Sequence, residues 1–140
     1  MEFSRRDAIA LGLGAVAMTL VPFRVQAATA TDDMIAEFTG GADMADSGVT
    51  LTAPEIAENG NTVPISVDAP GAVAIMILAS GNPTPGVATF NFGPLAASQS
   101  ASTRIRLAGT QDVIAVAKMA DGSFARASST VKVTIGGCGG

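Results

Sequence analysis

The residues that could do chemistry stand at the end of the chain. Gly136-Gly137-Cys138-Gly139-Gly140 places one thiol between residues that carry no side chain. Cys138 is the only cysteine and there is no histidine. Ser-His and Cys-His nucleophile pairs are therefore excluded. So are an intramolecular disulfide, a zinc site of thiolate and imidazole, a haem attachment motif and a C-x-x-C redox pair. The spaced aspartates of an EF-hand are also absent. No catalytic residue, no cofactor-binding residue and no metal ligand is expected. What is left is the thiol itself. A free cysteine, with a pKa of ~8.5, is only a few per cent thiolate at neutral pH. The nearest charge along the chain is the carboxylate of Gly140, which disfavours the thiolate further.

Cys138 thus reads as an attachment point that other active sites activate. Glycine is thin and conformationally permissive. Ile135 to Cys138 is a span of up to ~10 Å when extended. Gly136, Gly137, Gly139 and Gly140 make a swinging arm slim enough to enter a narrow channel and deliver a covalent cargo. A cysteine without function is usually buried, and an exposed one in an oxidising compartment forms intermolecular disulfides. Two other readings compete. One is a non-catalytic β-sandwich module whose Cys138 makes an intermolecular disulfide. The other is a thiol-redox enzyme, for which the sequence lacks a resolving cysteine.

The arm needs a rigid element behind it, and the sequence supplies one. Ala125, Ala127, Val131, Val133 and Ile135 alternate with Arg126, Ser128, Thr130, Lys132 and Thr134. The same period of two recurs at Val49–Thr52, Val63–Asp68 and Arg104–Leu107. It marks half-buried strands. Val73–Ala79 and Val113–Met119 are apolar on both faces, as in central strands or strands covered by a partner. Left uncovered, such a run would expose apolar surface, so we expect a partner protein against Val73–Ala79 or the edge beside it. Val87–Phe92 completes a set of about seven strands. Turn formers separate them at 58–61, 81–86 and Asp121-Gly122, the last a hairpin signal. Before the strands, Thr31–Phe38 reads as a short helix capped by Thr31 and ended by Gly40-Gly41, with Met34, Ile35 and Phe38 on one face. The expected fold is all-β, an immunoglobulin-like antiparallel β-sandwich with a short N-terminal helix.

The first 27 residues read as an export signal rather than as part of that fold. Arg5 and Arg6 precede a fourteen-residue apolar run, Ala8–Val21. As a helix that run reaches about 21 Å, too short for a ~30 Å bilayer core. The paired arginines resemble a twin-arginine signal, although Ala8 stands where that signal usually has Phe. Val25 and Ala27 fit the positions read by a signal peptidase. The expected organisation is a signal at 1–27, a carrier domain at 28–135 and the arm at 136–140, in a bacterial periplasm. The 140-residue chain carries a net charge of −4. Without residues 1–27, five bases and ten acids remain. That balance and the absence of Trp and Tyr argue against a nucleic-acid partner. No membrane association is expected of the exported chain.

The terminal stretch Val131–Gly140 resembles that of the SoxY family, the carrier subunits of the bacterial thiosulfate-oxidising system. The likeness extends through Ile35–Gly41, Pro54–Gly60, Arg104–Ala108 and Ala115–Gly122, across nearly all of the exported chain. It implies a periplasmic sulfur carrier, not an enzyme, that works as a heterodimer with SoxZ and holds sulfur intermediates covalently on Cys138. It further implies that the haem enzyme SoxAX couples thiosulfate to the thiol. The hydrolase SoxB then releases sulfate, and a sulfane dehydrogenase, where present, oxidises the sulfur that stays.

Overall fold

Alternating side chains turn one face of a strand inward, and two such faces closed on each other make a core. The computed structural model describes residues 24–134 and shows this arrangement. Helix α1 (Arg24–Thr39) is followed by β1 (Met44–Ala45), β2 (Thr50–Thr52), β3 (Ile56–Ala57), β4 (Val63–Asp68) and β5 (Ala72–Ala79). Then come β6 (Gly86–Asn91), β7 (Ser100–Ile105), β8 (Gln111–Met119) and β9 (Phe124–Val133). One sheet runs β9-β8-β5-β6, with the short β1 and β3 both attached to β9; the other runs β2-β4-β7. The fold is an all-β sandwich with one N-terminal helix, as expected.

The alternation predicts the burial well. Val63, Ile65 and Val67 of β4 face Ile75 and Ile77 of β5, Val113 and Ala115 of β8 and Val131 of β9 in one apolar core. The seven expected strands are all present. β7 starts at Ser100, earlier than the expected Arg104. Two further strands, β1 and β3, are two-residue parallel pairings onto β9. The Asp121-Gly122 hairpin also forms. Gly122 takes φ +87°, a left-handed conformation that glycine adopts without strain. Asp121 Oδ1 accepts from Ser123 Oγ at 2.6 Å and from the Ser123 N–H at 2.9 Å.

The helix departs from expectation in its start. It begins at Arg24, so Thr31 is no cap but an interior residue, 3% exposed. Nothing in Arg24–Ala30 breaks a helix, and three of its seven residues are the helix-favouring Ala27, Ala28 and Ala30. The expected signal boundary after Ala27 falls inside α1. The other end is as expected: Gly40 and Gly41 have φ of +66° and +83°, and the Thr39 hydroxyl donates to the Ile35 carbonyl at 2.9 Å.

The helix also changes the meaning of the run at 73–79. Ile75 and Ile77 point into the sandwich, while Met76 and Leu78 point outward onto α1. There they form a second core with Ile35, Ile114 and Val116, edged by Met34, Phe38 and Met44. The Phe38 and Phe124 rings meet edge to face with centroids 6.0 Å apart. This chain's own helix thus covers the outer face of the run, leaving Val73, 38% exposed, at the end of the strand; the expectation of a partner against the run itself is corrected to that extent, and a partner at the edge beside it stays a proposal.

Candidate functional site

Cys138 and the arm glycines Gly136, Gly137, Gly139 and Gly140 lie outside the described residues, as do Arg5 and Arg6. What the structure describes is the root from which the arm departs. β9 pairs antiparallel with β8 from Lys118↔Phe124 to Gln111↔Val131. The end of β9 therefore shares one end of the sandwich with the start of β8 and, through Ala79↔Val113, the end of β5. The last residues of β9 are held on both edges. On one side the parallel β3 aligns Ile56 with Lys132 and Ala57 with Val133. The Lys132 N–H donates to the Glu55 carbonyl at 2.9 Å, and the Thr134 N–H to the Ala57 carbonyl at 3.1 Å. On the other side the Val133 N–H donates to Thr110 Oγ1 at 3.0 Å. Three consecutive backbone donors, 132 to 134, are thus satisfied up to the last described residue.

The loops around this root are also fixed. Gln111, 8% exposed, donates from Nε2 to Asn82 Oδ1 at 2.8 Å and to the Gly109 carbonyl at 3.0 Å. Its Oε1 accepts from the Gly81 N–H at 2.9 Å. Asn82 in turn donates to the Arg106 carbonyl at 2.8 Å and accepts from the Ala108 N–H at 2.9 Å. One amide pair, the buried Gln111 and the half-buried Asn82, thereby ties the 80–85 loop to the 106–110 loop across the two sheets. Such a satisfied network gives a single arrangement. A Cβ at Gly81 would lie 2.9 Å from the Gln111 Cβ, so glycine is required there by contact.

Thr110, Asn82 and Gln111 were not singled out from the sequence. Each is a polar residue in a loop or at a strand start, and only the pairing of distant strands gives it a task. Lys132 and Glu58 are exposed beside the root; Asp112 is exposed too and accepts from Thr130 Oγ1 at 2.6 Å. Asp121 sits at the opposite end, in the hairpin. Its carboxyl is held below the usual aspartate value by the hydrogen bonds from the Ser123 hydroxyl and N–H. Among the described residues no three Asp, Glu, His or Cys side chains gather to hold a metal ion. No described helix is long and apolar enough to cross a membrane.

The end of β9 at Val133, and Thr134 after it, are thus gripped from both edges. The chain matches the family described as sulfur oxidation protein SoxY over residues 35–138, a match that runs through Cys138. It is similar to the sulfur carrier protein SoxY from Chlorobium limicola f thiosulfatophilum, with 37% identity and a TM-score of 0.67. That match covers 76% of this chain and 94% of that one. A superoxide reductase (neelaredoxin) from Ignicoccus hospitalis is 16% identical with a TM-score of 0.55, covering 62% and 80% of the two chains. A putative superoxide reductase from Thermotoga maritima is 17% identical with a TM-score of 0.53, covering 62% and 86%. At such identities these two share the fold alone. No curated protein matches.

Proposed function

This chain belongs to the SoxY family of sulfur oxidation proteins, and from that premise we propose that it is a periplasmic carrier that holds thiosulfate-derived intermediates covalently on Cys138. A sulfur carrier role follows from the family. The covalent site is supported by the extent of the family match, which reaches Cys138. It is also supported by the absence of any other cysteine or histidine. Exit to the periplasm is supported by Arg5-Arg6 and the apolar run after them.

The chemistry assigned to Cys138 balances as follows. The thiol and thiosulfate join through a new S–S bond, giving a cysteine S-thiosulfonate, and release one proton and two electrons. The electrons require an acceptor, which the haem partner SoxAX supplies in this reading. Water then cleaves the S–SO3 bond of the adduct. Sulfate and a proton leave, and a persulfide stays on Cys138. SoxB is the proposed hydrolase. The sulfane dehydrogenase, where present, oxidises the outer sulfur on Cys138 to a sulfonate, taking oxygen from water and passing the six electrons to its own acceptor, and hydrolysis then frees that sulfur as a second sulfate. The carrier contributes the thiol, the thin approach of Gly136 and Gly137, and the fixed root at Thr134. It contributes no base of its own. SoxZ is the proposed heterodimer partner.

Intact mass of the protein isolated from the periplasm tests the reading. Adducts of sulfur, sulfonate or thiosulfonate mass on Cys138, absent in Cys138→Ser, are expected. A doubled chain mass without adducts would instead identify a disulfide-linked module. The double variant Arg5→Lys with Arg6→Lys is expected to strand the precursor in the cytoplasm; its normal export would overturn the twin-arginine assignment alone.

A further inference from the structure

No Asp, Glu, Lys or Arg stands between Asp68 and Arg104. The chain as a whole is 14% charged, so a gap of thirty-five residues does not follow from composition. The gap covers β5, β6, the loop after β6 and most of β7. β5 is central, but β6 ends one sheet and β7 ends the other. At the far side β2 packs against β9, so the two free edges share the side of the sandwich that the uncharged run builds. The opposite edge is covered. β1 and β3 both pair onto β9, and Asp43, Asp46, Glu55 and Glu58 stand beside those covering strands. Natural sheets blunt a free edge with cover, charge or irregularity. β6 has only a bulge at Val87, where the register passes from Ile77↔Ala88 to Leu78↔Gly86.

The ladder fixes which backbone groups of β6 stay open. The Phe92 N–H donates to the Val73 carbonyl at 2.9 Å. Alternation then turns Phe90 toward β5 and leaves the N–H and C=O of Thr89 and Asn91 on the outer edge. Apolar surface lies beside them. A groove of about 700 Å³ runs between α1 and the β5–β6 pair, lined by Met34, Phe38, Val73 and Phe92 with Glu37 and Lys118. Leu95, 99% exposed, stands three residues beyond Phe92. We propose that the outer edge of β6 is the docking site of the partner subunit, which adds an extended uncharged strand along residues 89–92 and seats apolar side chains against Val73, Phe92 and Leu95. This rests on the heterodimer reading above. An extended chain is what satisfies a row of open N–H and C=O groups, and the core of an interface is depleted of charge. A second copy of this chain fits the edge less well. Self-pairing about an axis at Thr89 would set Asn91 against the bulged Val87. An axis at Phe90 avoids the bulge but brings Glu37, which lines the groove with Asn91 and Phe92, to the seam from both copies. Lys118 does not offset this, since β5 lies between its strand and β6. Like charges across a pairing are destabilising. The occupant is therefore a different chain, with a neutral or basic residue facing Glu37.

The test uses the chain exported by its host and SoxZ from the same host. Binding is titrated, and backbone amide exchange is followed with and without SoxZ. Exchange at Thr89 and Asn91 is expected to slow about tenfold or more on binding, while residues 100–103 on the β7 edge are unchanged. Thr89→Pro deletes an outward donor that β5 does not use, a change an edge strand accommodates. Leu95→Asp alters a side chain that has almost no contact within the chain. Each is expected to weaken SoxZ binding about tenfold or more. Ala45→Glu changes an exposed residue of β1, on the covered edge, and leaves binding at the wild-type value. If Thr89→Pro lowers the urea midpoint by more than about 1 M, Leu95→Asp is read in its place. Wild-type affinity in these variants overturns the proposal, as does protection of residues 100–103 instead of Thr89 and Asn91. A doubled native mass with Thr89 and Asn91 protected in the absence of SoxZ gives the edge to a second copy and also overturns it. If the wild-type chain does not bind SoxZ, the heterodimer reading falls and the docking site with it. If it binds while the β6 edge stays unprotected, the docking site alone falls.

Discussion

Leu78→Ala separates two explanations of why β5 is apolar on both faces. Leu78 is fully buried, in the core that α1 closes over the outer face with Ile35, Met76, Ile114 and Val116. The change deletes Cγ and both Cδ carbons, a loss of ~2.4 kcal/mol at ~0.8 kcal/mol per buried carbon. A cavity adds to this, but a helix lying on a sheet can settle more readily than a strand inside a sandwich. The expected cost is therefore about 3 kcal/mol, within the usual range for such truncations. With a urea m-value of about 1.5 kcal/mol/M, the midpoint of the isolated chain falls by about 2 M. Val73→Ala, on the same strand but part-exposed, is expected to change stability by less than about 0.5 kcal/mol. The assay is equilibrium urea unfolding followed by far-ultraviolet circular dichroism on the chain without any partner. A midpoint shift below about 0.5 M for Leu78→Ala would refute the reasoning. It would mean that α1 does not bury this face in the isolated chain and that a partner must.

Three further outcomes follow from particular residues. Asp121→Asn weakens a hairpin bond made by the carboxylate, whose pKa is lowered by the Ser123 hydroxyl and N–H. Its contribution is present above the ordinary aspartate range and is lost as pH falls through the lowered value. The gap in thermal midpoint between wild type and variant should thus be widest near neutrality and close in acid; a gap that widens in acid would contradict the assignment. Gly81→Ala drives a Cβ to within 2.9 Å of the Gln111 Cβ and is expected to cost about 1–3 kcal/mol in urea unfolding. Gly93→Ala meets nothing within 4 Å and serves as the neutral comparison. Gly137→Val thickens and stiffens the proposed arm while keeping the thiol. Labelling by a small thiol reagent should proceed as in wild type while loading by the partner enzymes falls about tenfold or more, and equal turnover would show that Cys138 is presented to open sites.

The strands and their faces were legible because they are a local pattern. Val63, Ile65 and Val67 announce an inward face by alternation alone, since side chains in a strand point to opposite sides at every step. The hairpin at Asp121-Gly122 was legible for the same kind of reason: the backbone angle of one glycine belongs to the turn itself. The proposal for Cys138 rests on the sequence and the family match and not on the fold, because the thiol lies outside the described residues and its meaning comes from which residue types are missing.

What covers the outer face of β5 was not legible. Met76 and Leu78 show that something apolar lies over them, and a helix of the same chain or a surface of another protein satisfies that demand equally. The start of α1 at Arg24 escaped too, because Thr31 with Asp32 and Asp33 carries a local capping signal that a longer continuous helix overrides. The root of the arm was decided entirely by tertiary structure. Glu55, Ala57 and Thr110 stand 77, 77 and 23 positions before the residues whose N–H groups they receive. The sequence determines that a strand leads to a thiol among glycines. Which neighbours grip that strand, and where the grip ends, depends on hydrogen bonds between segments brought together only when the two sheets close on their common core.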